Sequence, residues 1–68
     1  MLIPTDAEAG QYATDLFRGY GLDPMIWDIR AGEEAGTVDV ELHVPGEGYG
    51  FLVVTVWRLE DGAIYGEW

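Results

Sequence analysis

Thr37-Val38-Asp39-Val40-Glu41-Leu42-His43-Val44 is the stretch that decides the fold. Val38, Val40, Leu42 and Val44 alternate with Thr37, Asp39, Glu41 and His43. A strict period of two predicts a half-buried strand, apolar on one face and polar on the other. Downstream, Pro45-Gly46-Glu47-Gly48 reads as a turn. Phe51 to Leu59 follows as a strand apolar on both faces, which suits a central position. Glu60-Asp61-Gly62 holds the Asp-Gly pair favoured in tight hairpins, and Ala63 to Trp68 forms a short last strand. Upstream, Ala31 to Gly36 reads as a hairpin loop. Before it, Met25 to Arg30 is a strand expected to send Met25, Trp27 and Ile29 one way and Ile26, Asp28 and Arg30 the other.

The chain opens with a helix, predicted from Asp6 to Tyr20. Thr5 and Glu8 make a T-x-x-E capping box. Asp6 and Glu8 lie at the positive end of the helix dipole and Arg18 near the negative end. Ala9, Tyr12, Ala13, Leu16, Phe17 and Tyr20 share one arc. Glu8, Gln11, Asp15 and Arg18 share the opposite, wet arc. Gly10 costs about 1 kcal/mol relative to Ala inside a helix, so a close contact is expected there. Gly19 or Gly21 supplies the left-handed turn at the end.

The expected architecture is α+β: one N-terminal helix packed on a four-stranded antiparallel meander, with neighbouring strands paired in order. Residues 1–68 make a single acidic domain. Val38, Val40, Leu42, Val44, Leu52, Val54 and Val56 are expected to face the helix. Asp39, Glu41, His43, Thr55 and Trp57 are expected on the open face, joined by Tyr65 or Trp68.

Charge is the strongest functional signal. Thirteen Asp and Glu stand against three Lys and Arg, a formal charge of −10. Such acidity often marks disorder, but 49% of the residues are hydrophobic, enough for a folded core. The charge disfavours direct binding to nucleic acid or to an anionic membrane. No apolar run approaches a membrane span, and Met1-Leu2-Ile3 is too short for a signal peptide. A cytoplasmic protein is the expectation. Repulsion between two copies opposes pairing through the sheet edges, so a monomer is expected.

Catalytic and metal chemistry are poorly supplied. The chain has no Cys, Ser or Lys, which removes the common nucleophiles. His43 is the sole His, and a lone strand His beside acids is most often an ordinary surface residue. Glu33 and Glu34 lack the alternating oxygen ligands of a calcium loop. Glu47 and the missing Lys argue against a phosphate loop at Pro45–Gly50. The expectation is a non-enzyme with no cofactor and no metal.

Asp39 and Glu41 lie about 6.8 Å apart along one strand face, near the separation of successive phosphates on a nucleic-acid strand. On their own they also fit an ordinary solvated outer face. In size, acidity, lack of Cys and α-plus-meander layout, the chain resembles small phage-encoded anti-CRISPR proteins that act on type I surveillance complexes. That resemblance implies a DNA mimic in the host cytoplasm, which blocks target-DNA binding by covering the basic surface that reads the protospacer-adjacent motif. The contact residues it implies are Asp6, Glu8 and Asp15 on the helix, Asp28, Asp39 and Glu41 on the sheet, and Glu33 and Glu34 in the loop. An alternative is an interaction module of immunity or antitoxin type that binds through the aromatic sheet face of Phe51, Trp57 and Tyr65. A third reading makes acidity an adaptation to a salt-rich cytoplasm, in which case folding itself needs molar salt.

Overall fold

The computed structural model describes every residue except Met1, Glu47 and Tyr49. Helix α1 spans Asp6–Arg18. Both capping-box bonds form: the Glu8 N–H donates to Thr5 Oγ1 at 3.1 Å and the Thr5 N–H to Glu8 Oε1 at 2.9 Å. The helix stops at Arg18, two residues before the expected Tyr20. Tyr20 N–H bonds back to the Phe17 carbonyl, and Leu22 N–H reaches that same oxygen. Gly21 makes this closure possible at φ +80°, a conformation that costs other residues a Cβ clash.

Four strands follow: β1 (Met25–Ala31), β2 (Val38–Val44), β3 (Gly50–Arg58) and β4 (Ile64–Glu67). They form an antiparallel meander in the order β1-β2-β3-β4, the α+β architecture that the alternation predicts. The expected Pro45–Gly48 turn includes Glu47, which lies outside the described residues.

The core sits between α1 and one sheet face. Ala9, Ala13 and Phe17 meet Val38, Val40, Leu42, Val44, Val54 and Val56, all buried. Leu52 packs against them half-buried. Gly10 marks a close approach: a Cβ there would stand 3.0 Å from Ile26 Cδ1 and 3.3 Å from Ile29 Cδ1. The helix interior gives up propensity at Gly10 so that β1 can pack against it. At the other edge Tyr12 lies over Gly66, whose added Cβ would come within 2.8 Å of the Tyr12 ring.

The expected phase of β1 is corrected. Ile26 pairs with Leu42 and Asp28 with Glu41, so Trp27 is an extra residue in a β-bulge. Two residues of a bulged strand oppose one on the partner, and the alternation shifts at that point. Ile26 and Ile29 therefore both face the helix. Met25, which pairs with His43, belongs to the open face. Trp27 does too, its ring 5.3 Å from Phe51. Both isoleucine tips pack against Gly10, Ile29 half-buried and Ile26 still 46% exposed, and regular pairing gives way at the bulge.

Candidate functional site

With one sheet face covered by α1, the other is free, and cross-strand register fixes which residues share it. One row runs Arg30, Asp39, Thr55, Glu67 across all four strands. The next row holds Asp28, Glu41 and Val53, and the row beyond it Met25, His43 and Phe51. Trp57 and Tyr65 pair at the opposite end. Adjacent strands lie about 4.8 Å apart, and residues two apart on a strand about 6.8 Å. Carboxylates from three strands thus stand on a rigid frame of phosphate-like spacing.

The acidic centre is partly satisfied from within. Arg30 Nη1 donates to Asp28 Oδ2 and to Glu41 Oε1, both at 3.2 Å. These bonds, Glu41's first, hold the Arg30 guanidinium still more firmly protonated than usual. Thr55 Oγ1 donates to Asp39 Oδ1 at 2.8 Å, which fixes the Asp39 carboxylate. Glu67 has no side-chain partner among the described residues. Four carboxylates (Asp28, Asp39, Glu41 and Glu67) therefore face one guanidinium.

Aromatic rings bound this centre at both ends. Trp27, Phe51 and His43 cluster at one end, with Phe51 4.9 Å from His43. Trp57 and Tyr65 meet edge-on at 5.4 Å at the other. Trp27, Phe51 and Tyr65 are 62%, 53% and 46% exposed, which is unusual for large rings with no structural task. Of the two residues expected to join the open face, Tyr65 does so. Trp68 turns to the helix side, its ring 5.0 Å from Phe17.

The β1–β2 loop folds back beside the Trp57 end. Gly32 N–H donates to the Thr37 carbonyl, and Thr37 donates its hydroxyl (2.7 Å) and its N–H (3.2 Å) to the Glu34 carbonyl. A Cβ on Gly32 would collide with the Thr37 hydroxyl and come within 3.2 Å of Asp39 Oδ1, so only Gly permits this fold-back. Glu33 and Glu34 become a rim to an open concavity of about 1040 Å³, which Asp39, Thr55, Trp57 and Glu67 also line.

The sequence-derived contact residues divide into two groups. Asp28, Glu33, Glu34, Asp39, Glu41 and Trp57 come together on or beside the open face. Asp6, Glu8 and Asp15 stand on α1, which covers the opposite face. Asp15 accepts from Gln11 Nε2 at 2.8 Å. Glu8 is engaged internally: Arg58 Nη2 donates to both its oxygens, at 2.7 and 2.8 Å. Arg58 also donates to the Gly62 carbonyl at 2.8 Å, tying the helix start to the β3–β4 turn. Glu67 and Trp27 belong to the face although sequence reasoning passed them over. The alternation of β4 pointed to Glu67; nothing in the β1 sequence placed Trp27.

Glu8 carries a pH signature. The Arg58 hydrogen bond, then the Thr5 N–H, hold its carboxyl below the ordinary value of 4.5. A lowered folded value means stability that is full above the unfolded value and lost as pH falls through the folded one. Urea unfolding of wild type and Glu8→Gln should therefore differ most near neutrality. The gap should close as pH drops below about 4.5; a constant gap down to acid pH would refute the linkage.

No helix among the described residues is long and apolar enough to cross a membrane, and no three His, Asp or Glu side chains among them converge as metal ligands. The chain matches no known protein family, no curated protein and no solved structure.

Proposed function

We propose that this chain is an inhibitory binding protein whose open sheet face occupies a cationic, nucleic-acid-reading surface of another protein. The carboxylates take the place of phosphates. The observation that carries this reading is the gathering of Asp28, Asp39, Glu41 and Glu67 on one uncovered face. Nucleic-acid readers draw most of their sequence-independent affinity from Lys and Arg contacts to phosphate. A rigid acidic face offers such a surface complementary potential and fast, salt-sensitive association. The target class we propose is a type I guide-RNA surveillance complex, with loss of target-DNA binding as the consequence.

A second reading is favoured by the exposed Trp27, Phe51 and Tyr65: an immunity- or antitoxin-type module that binds mainly through its rings, aromatic residues being enriched at protein interfaces. Salt separates the two. Binding by carboxylates collapses between low and moderate ionic strength, whereas ring-driven binding persists.

A gel shift tests the first reading. Saturating protein should abolish the shift of labelled target DNA by a type I surveillance complex. An unchanged shift at saturation, in low salt, removes that target class.

A further inference from the structure

We infer that the open face divides into two halves, and that the half at Trp57 is a receptor for an arginine side chain of the partner. This rests on the reading that the face binds a cationic surface, and it names the partner's chemistry. The division comes from Arg30. Its guanidinium already bridges Asp28 and Glu41, so those two carboxylates are partly quenched before any partner arrives. It also shows how a guanidinium sits on this face, shared between carboxylates of neighbouring strands.

In the other half no cation among the described residues bonds to the carboxylates: Arg58 also lines the concavity, but it donates to Glu8 and to the Gly62 carbonyl instead. Asp39 and Glu67 flank Thr55 in one cross-strand row. Thr55 holds one Asp39 oxygen, and the second accepts no hydrogen bond from the described residues. Trp57, half-buried and propped edge-on by Tyr65, forms one wall, and Glu33 and Glu34 form the rim. A fixed carboxylate beside an indole suits a planar guanidinium, which stacks on aromatic faces and forks onto carboxylates. A lysine ammonium is a compact, strongly hydrated point charge and gains less from the same wall. The occupant is therefore an arginine presented by a basic protein surface, and Arg30 sets how strongly the rest of the face competes for it.

The test compares an oligo-arginine and an oligo-lysine peptide of equal length and charge, titrated at low salt and followed by calorimetry and by the indole N–H resonances. The arginine peptide should bind roughly fivefold more tightly and shift the Trp57 indole. Trp57→Leu, which keeps apolar bulk and removes the ring face, should equalise the two peptides. Trp57→Phe, which keeps a ring, should retain part of the preference and guards against a Leu variant that folds poorly. Arg30→Gln should tighten both peptides several-fold by releasing Asp28 and Glu41. Arg18→Gln, exposed at the end of α1 on the other side of the sheet and matched in charge change, should not. Equal affinity of the two peptides for wild type, or a preference that survives both Trp57 substitutions, overturns the arginine receptor alone. Arg30→Gln without effect overturns the division into halves. If neither peptide binds, the cationic-surface reading falls and takes the receptor with it.

Discussion

Phe17→Ala is expected to remove most of the domain's stability. Phe17 is fully buried and is the largest side chain in the core. Its ring lies 5.0 Å from Trp68 and 6.4 Å from Tyr20, so it joins the end of the helix to the end of the chain. Truncating a buried Phe to Ala costs about 3–5 kcal/mol, because lost transfer energy is joined by a cavity. A domain of this length holds roughly 3–10 kcal/mol in total. The loss is comparable to the whole, and no disulfide is present to compensate. Urea unfolding followed by circular dichroism should show a midpoint lower by about 2 M or more, at a slope of about 1–2 kcal/mol/M. Phe17→Leu, which leaves a smaller void, should fall between. A midpoint for Phe17→Ala within a few tenths of a molar of wild type contradicts the packing described.

The double variant Asp39→Arg, Glu41→Arg should abolish inhibition without unfolding the chain. Both side chains lie on the open face, and the core behind them is formed by Val38, Val40 and Leu42. The substitutions break the Thr55–Asp39 and Arg30–Glu41 bonds, but they also move the net charge from −10 to −6, each changing it by two. Lower self-repulsion offsets part of the lost bonding. At a cationic target the reversal places like charges in contact, which costs several kcal/mol. Affinity should drop by 100-fold or more in the gel-shift competition, and the milder Asp39→Asn, Glu41→Gln variant should lose less. A folded double-Arg variant that still inhibits at wild-type concentration refutes phosphate mimicry by this face.

The parts of the fold legible in the sequence were those set by local rules. Thr5 and Glu8 are three residues apart and cap each other, so the helix start follows from the chain alone. The Val38–Val44 alternation fixed both the strand and its buried face. β1 was harder because Met25, Ile26 and Trp27 are all apolar. Such a run gives no phase, and the choice of inward residue was made by Gly10 on a distant helix. The Arg58–Glu8 pair joins residues fifty positions apart, beyond any local pattern. For the candidate site, alternation placed Asp39, Glu41 and Trp57 correctly together. It could not show that the β1–β2 loop brings Glu33 and Glu34 beside Trp57, or that Arg30 reaches across to Glu41.

Trp27 can be counted as an insertion into an otherwise ordinary strand. Remove it, and Met25-Ile26-Asp28-Ile29-Arg30 alternates outward and inward without a fault. The extra residue thus hangs a large ring on the outer surface while leaving the inner pattern as it was. The strand carries one more exposed ring than regular pairing would allow, with the interior pattern undisturbed.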